Sequence, residues 1–275
     1  MAVSIQYLKE SLKVETEIFK TLILVVIVLA GGVYALFIKL HDGFVNIILF
    51  AGGLFFLILM IIGLCVFQDY GMTWDEAQYQ NYGKEVYEYI LAGKSSDEVT
   101  GYFGLTHGPV IQFGFYLLEK LFQLEDTRNI FFMRHLCTFI IFGIGVFFFF
   151  LLCKALFRDW RISLLGCVFF VLSPRIFAHA FFNSADIATL SLFIISIYTL
   201  IRFFHQASIA NAIFHGISCA VLIDTRIVGI MVPFLTALLF LVELFISNKK
   251  AKLKIPLGIY AITLLGFIVL FWPAL

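Results

Sequence analysis

An all-α integral membrane fold, a bundle of about eight spans, follows from three observations on this sequence of 275 residues. Hydrophobic residues make up 62% of it and charged residues 13%, with a mean hydropathy of +1.02, whereas soluble domains carry about 25% charged residues. Apolar runs of roughly 18 to 25 residues recur along the chain, long enough to cross a ~30 Å hydrocarbon core as helices. The alternating strands of about ten residues that mark a membrane barrel are absent.

The elements follow in order. Ile5, Leu8 and Leu12 at helical spacing predict an amphipathic N-terminal segment, 1–17, lying on the membrane ahead of one multi-span domain, 18–275. Spans are expected over 18–40 and 44–67, joined at His41-Asp42-Gly43. A large polar loop, 68–127, comes next. Within it Tyr79, Tyr82, Val86, Tyr89 and Ile90 recur at steps of three and four residues, an interfacial helix whose tyrosines suit the headgroup layer. Past a turn at Gly104 and Gly108, Pro109 opens a helix over 110–122 that is too short to span. Later spans are expected over 129–157, 162–172, 185–204, 209–223 and 227–246. A polar loop over 175–184 follows Ser173-Pro174, and a basic turn from Asn248 to Lys254 precedes a last span ending at Trp272.

Orientation follows from the basic residues. Lys154, Arg158, Arg161, Arg202 and the lysines at 249, 250, 252 and 254 share one side if the spans alternate, and the positive-inside rule makes that side cytoplasmic. The expected location is therefore a plasma (inner) membrane, multi-pass, with the 68–127 loop, the 175–184 loop and the turn at Asp224 to Arg226 on the outer face. The N-terminal segment reads as retained rather than cleaved. Cys65, Cys137, Cys153, Cys167 and Cys219 all lie in apolar runs and read as packing residues. The net charge of +1 is silent on charged partners, and nucleic acid is not expected among them.

Chemistry is expected at the outer face. Ten of the 18 acidic residues lie between Asp69 and Asp126. Past Arg128, Asp159 and Glu243 fall on the cytoplasmic side, which leaves Asp186 and Asp224 outside with Asp75. Ionisable groups near a bilayer face a protein interior or a wet cavity, so the three are expected to converge. Thr73-Trp74-Asp75-Glu76 has capping-box spacing. A carboxylate held at a helix start also suits a general base, and the two roles are compatible. Asn183-Ser184-Ala185-Asp186 opens the next span in the same double sense. Arg128, Arg134, Arg175 and Arg226 are cations on the disfavoured side. Pairing of Arg226 with Asp224 and headgroup contact by Arg128 are the plain readings; a clamp for a phosphate leaving group is the functional one. His107, His179 and Glu76 are candidate ligands for a divalent metal, although no HExxH-like spacing accompanies them. His41, His205 and His215 read as loop or core histidines.

Trp74-Asp75-Glu76, His107-Gly108-Pro109, Arg134, Ser173-Pro174 and the run from Asn183 to Asp186, in this order, resemble the glycosyltransferase C superfamily. The similarity is to its polyprenyl- or dolichyl-phosphate-sugar branch, which includes protein O-mannosyltransferases and lipid A aminoarabinose transferases. The turn that often reads Lys-Pro-Pro in such enzymes reads His-Gly-Pro here, and the sequence stops earlier than theirs, as a C-terminally truncated chain would. The resemblance implies an inverting transferase, for hexosyl or pentosyl groups, that moves a sugar from a polyprenyl-phosphate donor to a lipid, glycan or protein hydroxyl. It implies Asp75 as the base, with Glu76 beside it; Asp186, the further catalytic candidate, is expected to order the acceptor or donor sugar. Arg134, Arg175 and Arg226 would bind the donor phosphate, and His107, Asn183 and Tyr79 the substrates. Membrane lipids would surround the donor tail. A transporter or flippase whose path is lined by Asp75, Asp186 and Asp224 is the alternative; it predicts charges at mid-membrane and internal repeats, and neither is evident.

Overall fold

The computed structural model describes residues 43–92, 107–246 and 250–271. Every regular element among them is helical. The order is α1 (Gly43–Val66), α2 (Glu76–Ala92), α3 (Val110–Leu121), α4 (Thr127–Phe157), α5 (Trp160–Val171), α6 (Pro174–Phe182), α7 (Ser184–His205) and α8 (Ile209–Thr225). A single 3-10 turn (Ile227–Ile230) then leads into α9 (Met231–Ile246) and α10 (Lys250–Phe271). The expectations for 1–42, which include the surface segment, the first span and His41, fall outside the described residues, as do those for Gly104 and Trp272.

The helix α4 is the central pillar because its apolar residues surround it rather than forming one stripe. It packs on α1, α5, α6 and α7, and α8 joins α7 to α10. Phe139, Phe142 and Val146 of α4 are fully buried. Phe139 stacks on Phe181 at 4.8 Å, and Phe181 on Tyr70 at 4.5 Å. This three-ring column ties the chain just after α1 to α6 and α4. Outward faces, by contrast, are bare hydrocarbon: Leu57 and Ile61 on α1, Phe234 on α9, Ile262 and Val269 on α10. Such faces suit a lipid environment, where no apolar core is needed to cover them.

The expected eight spans are not reached among the described residues. Four helical stretches are long and apolar enough to cross a membrane: Thr127–Phe157, Ser184–His205, Ile227–Phe245 and Lys254–Phe271. The pair α5 and α6 makes a fifth only as a broken span, bent by 69°. Ala51–Val66 of α1 and α8 are apolar but shorter. The polar loop expected over 175–184 is mostly the helix α6. Pro174 fits its first turn, and Ile176, Phe177, Ala180 and Phe181, one face at helical spacing, pack into the core. The basic turn expected to reach Lys254 is likewise already helical from Lys250. His215 is a core histidine. Its Nε2 lies 2.9 Å from Thr236 Oγ1, its Nδ1 3.0 Å from Thr199 Oγ1, and its ring stacks on Tyr260 at 4.9 Å. All five cysteines are free thiols.

Candidate functional site

Asp75 and Glu76, adjacent in sequence, do opposite things. Glu76 opens α2 and turns inward, 5% exposed. Its Oε2 accepts the Thr73 backbone N–H at 2.6 Å and the Thr73 hydroxyl at 3.1 Å, the reach-back half of a capping box. Its Oε1 lies 2.8 Å from Nε2 of His135 on α4. Asp75 instead stays exposed beside Trp74, itself 85% exposed. One face of the turn is anchored and the other is open.

Above that turn a polar cluster assembles from four segments. Tyr79, one helical turn beyond Asp75, is its hub. Its hydroxyl accepts a hydrogen bond from the Arg226 guanidinium, and the charges of Asp75 and Asp186 reach it. The His107 ring packs edgewise on Tyr79, centroids 5.9 Å apart. Arg226 Nη2 lies 2.5 Å from Asp186 Oδ1. The pairing of Arg226 with Asp224 expected from their spacing is thus replaced by a pair across helices. Asp186 Oδ2 in turn accepts from Asn183 Nδ2 at 2.8 Å, while Asn183 Oδ1 caps α7 by accepting the Asp186 N–H at 3.1 Å. Both side chains of the ion pair keep solvent contact, Arg226 at 34% and Asp186 at 46%.

Burial pushes the Tyr79 phenol up, with Arg226 opposing and the two aspartates assisting. His107 is pushed down, first by burial and then by Arg226, against the pull of Asp186. At neutral pH the cluster therefore presents a phenol and an uncharged imidazole among fixed charges.

Two further groups hold the cluster in place. Asp224, fully buried, accepts the Val110 backbone N–H at 3.1 Å through Oδ2 and so caps α3, whose Pro109 has no N–H to offer. A Cβ on Gly108 would collide with the Asp224 carbonyl oxygen, and only glycine fits there. Tyr82 donates to the His107 carbonyl at 2.9 Å. The His-Gly-Pro turn is thereby clamped between α2 and the end of α8, next to Arg226.

Beneath lies a closed polar layer. Arg134 on α4 is 3% exposed. Its Nε and Nη2 sit 2.7 Å and 2.6 Å from Glu119 Oε1, and its Nη1 donates to Gln112 Oε1 at 3.0 Å. Gln112 continues to Ser184, and Gln80 donates to the other Glu119 oxygen at 3.1 Å. Beside this layer opens a polar cavity of about 270 Å³, lined by Gln80, Asn81, Lys84, Tyr116, Glu119 and Lys120.

Of the residues singled out from sequence, Tyr79, His107, Asn183, Asp186 and Arg226 come together, and Asp75 stands exposed one helical turn before Tyr79. Glu76 and Arg134 face the interior, and Arg175 stands exposed on the first turn of α6. The metal candidates are dispersed: Glu76 is on His135, His179 hydrogen-bonds Asn183, and His107 is on Tyr79. Among the described residues no three His, Cys, Asp or Glu side chains gather as a ligand set. Arg128 lies over Phe132. His135, Glu119, Gln112 and Asp224's hold on Gly108 were not marked as site residues by their sequence context. The signal for His135 was an ionisable pair, Arg134-His135, inside an otherwise apolar run.

No curated protein and no solved structure matches the chain. The family described as dolichyl-phosphate-mannose-protein mannosyltransferase matches residues 53–274, a stretch that holds both the open cluster and the closed layer. The chain therefore belongs to the dolichyl-phosphate-mannose-protein mannosyltransferase family, membrane glycosyltransferases that use a dolichyl-phosphate-linked sugar.

Proposed function

We propose that this protein transfers a sugar from a polyprenyl-phosphate donor to an acceptor hydroxyl with inversion, at the outer face of the membrane, using Asp75 as general base. The observation that carries the reading is the meeting of Tyr79, His107, Asp186 and Arg226 at one solvent-open cluster, from segments far apart in sequence, with the exposed Asp75 one helical turn before Tyr79. The acceptor oxygen attacks the anomeric carbon opposite the phosphate, and its proton passes to Asp75. The bond from that carbon to the phosphate oxygen breaks, and its electron pair leaves on the lipid phosphate. Phosphate is already a good leaving group, so the second carboxyl acid required in glycoside hydrolysis has no task here.

Arg226 is assigned to the donor phosphate because its guanidinium is partly exposed within the cluster and offers the paired donors that phosphate accepts. Asp186, held by Asn183, orders the sugar. His107 and Tyr79 line the substrate, and Arg175, exposed on the first turn of α6, is the second cation assigned to the donor. Arg134, buried against Glu119 and Gln112, holds the layer beneath the cluster rather than the phosphate. The lipid tail lies along the apolar helix faces. Protein, the acceptor printed in the family's description, is the assigned acceptor class, through its hydroxyls, and mannose the assigned sugar. Radiolabelled transfer from dolichyl-phosphate-mannose to a serine- and threonine-containing peptide tests the reading. Near-wild-type turnover by Asp75→Asn sinks it.

A further inference from the structure

His135 sits where the chain leaves one helix and prepares the next. Its ring is 1% exposed. Nδ1 lies 3.3 Å from the carbonyl oxygen of Phe67, just past the end of α1, and Nε2 lies 2.8 Å from Glu76 Oε1 at the start of α2. The polar turn carrying Asp75 is the chain between those two contacts. The two ring nitrogens thus reach one group at each end of the turn, the Phe67 carbonyl and the Glu76 carboxyl. The other Glu76 oxygen already holds the backbone and hydroxyl of Thr73. One imidazole thus closes a loop whose two ends are otherwise set by separate helices.

We propose that His135 is a positioning residue for Asp75, acting through Glu76 to hold the turn so that the neighbouring carboxylate faces the open cluster. The inference rests on the assignment of Asp75 as the base. Histidine suits the task better than lysine because its two nitrogens point apart along a rigid ring and bridge two fixed groups. A short acidic side chain at 75 has two rotatable bonds; the rest of its placement is inherited from the backbone that Glu76 fixes. Reaction geometry is sensitive at this scale, since a misplacement of about 1 Å costs on the order of 100-fold in rate.

The test uses the full chain in lipid nanodiscs, with dolichyl-phosphate-mannose and an acceptor peptide. His135→Ala is expected to lower kcat about 10- to 100-fold while the donor KM stays within about twofold. His135→Gln returns a donor to Glu76 and is expected to recover part of the loss. An unchanged kcat in His135→Ala overturns the proposal, and so does a loss of kcat that merely tracks the folded fraction. A second measurement does not depend on turnover. With Trp160→Phe and Trp272→Phe, Trp74 is the single tryptophan, and its fluorescence anisotropy reports the turn directly. His135→Ala is expected to lower that anisotropy; no change overturns the proposal. If Asp75→Asn turns over normally, the base assignment fails, and the Trp74 anisotropy still decides whether His135 holds the turn.

Discussion

The open cluster around Tyr79 and the closed layer around Arg134 use the same vocabulary, an arginine, an acidic residue and an amide, to different ends. In the closed layer Arg134 and Glu119 are each about 4% exposed, and the amides of Gln112 and Gln80 hydrogen-bond to the pair. In the open cluster Arg226 and Asp186 form an equally short pair with a third to a half of each side chain in solvent. A buried pair is costly to break and is closed to a ligand by its burial. A half-exposed pair contributes little stability but keeps donors and acceptors available. Exposure, rather than residue type, separates chemistry from scaffolding here.

The largest effect that would sharpen this contrast is on rate. Asp75→Asn, on the open side, is expected to lower transfer by about 10²- to 10⁴-fold, the usual range for a lost general base, with little change in unfolding. Arg134→Met, on the closed side, is expected to show the reverse emphasis. It leaves Glu119 charged and unpaired in the interior, a loss of about 3–5 kcal/mol, measured by equilibrium unfolding in mixed micelles. The double variant Arg134→Met with Glu119→Leu is expected to regain most of that loss. If the double variant remains as unstable as the single one, the layer is not a self-contained pair and the contrast fails.

Much of the open cluster was legible because its signals are local. The Thr73 to Glu76 spacing foretold the reach-back hydrogen bond, Asn183 foretold a cap, and the tyrosine spacing foretold α2. The clamp of Asp224 on Gly108 was illegible, since 116 positions separate the two and a Gly-Pro pair signals a turn without naming what lies against it. The closed layer was hidden for a different reason. A polar residue on α3 or α4 has the same sequence context whether it faces lipid, water or another polar residue, and only packing decides. The helix α6 was missed because Arg175, His179 and Asn183 give it a polar look, while its aromatic residues at helical spacing carry the packing.

Intermediate effects fall on Arg226. Arg226→Ala is expected to raise the donor KM roughly tenfold or more, from loss of a charge-assisted contact of about 1.5–3 kcal/mol. Arg226→Lys is expected to recover only part, since a point charge does not reproduce the paired donors. An unchanged donor KM in both variants would move the phosphate to Arg175. Asn183→Ala is expected to cost about 1 kcal/mol through the lost helix cap. It also frees Asp186 Oδ2, so a change in donor KM larger than the stability loss explains would mark the clamp as functional.

The smallest effect is on pH dependence. The His107 pKa is lowered from its ordinary value of 6.5 by burial and by Arg226, with Asp186 partly offsetting. The folded chain therefore binds this proton less readily than the unfolded one. The resulting stability is fully present above about pH 6.5, and it declines as pH falls below that value toward the folded-state pKa. The decline is expected to be modest, because His107 is only half-buried and Asp186 shields it from Arg226. Unfolding measured between about pH 7.5 and 5 should show this slope in the wild type, and His107→Gln should flatten it. Acidification also places a second cation beside Arg226, so donor KM should shift over the same interval. If His107→Gln keeps the wild-type slope, the acid sensitivity belongs to the carboxylates, and the neutral imidazole is not a working part of the cluster.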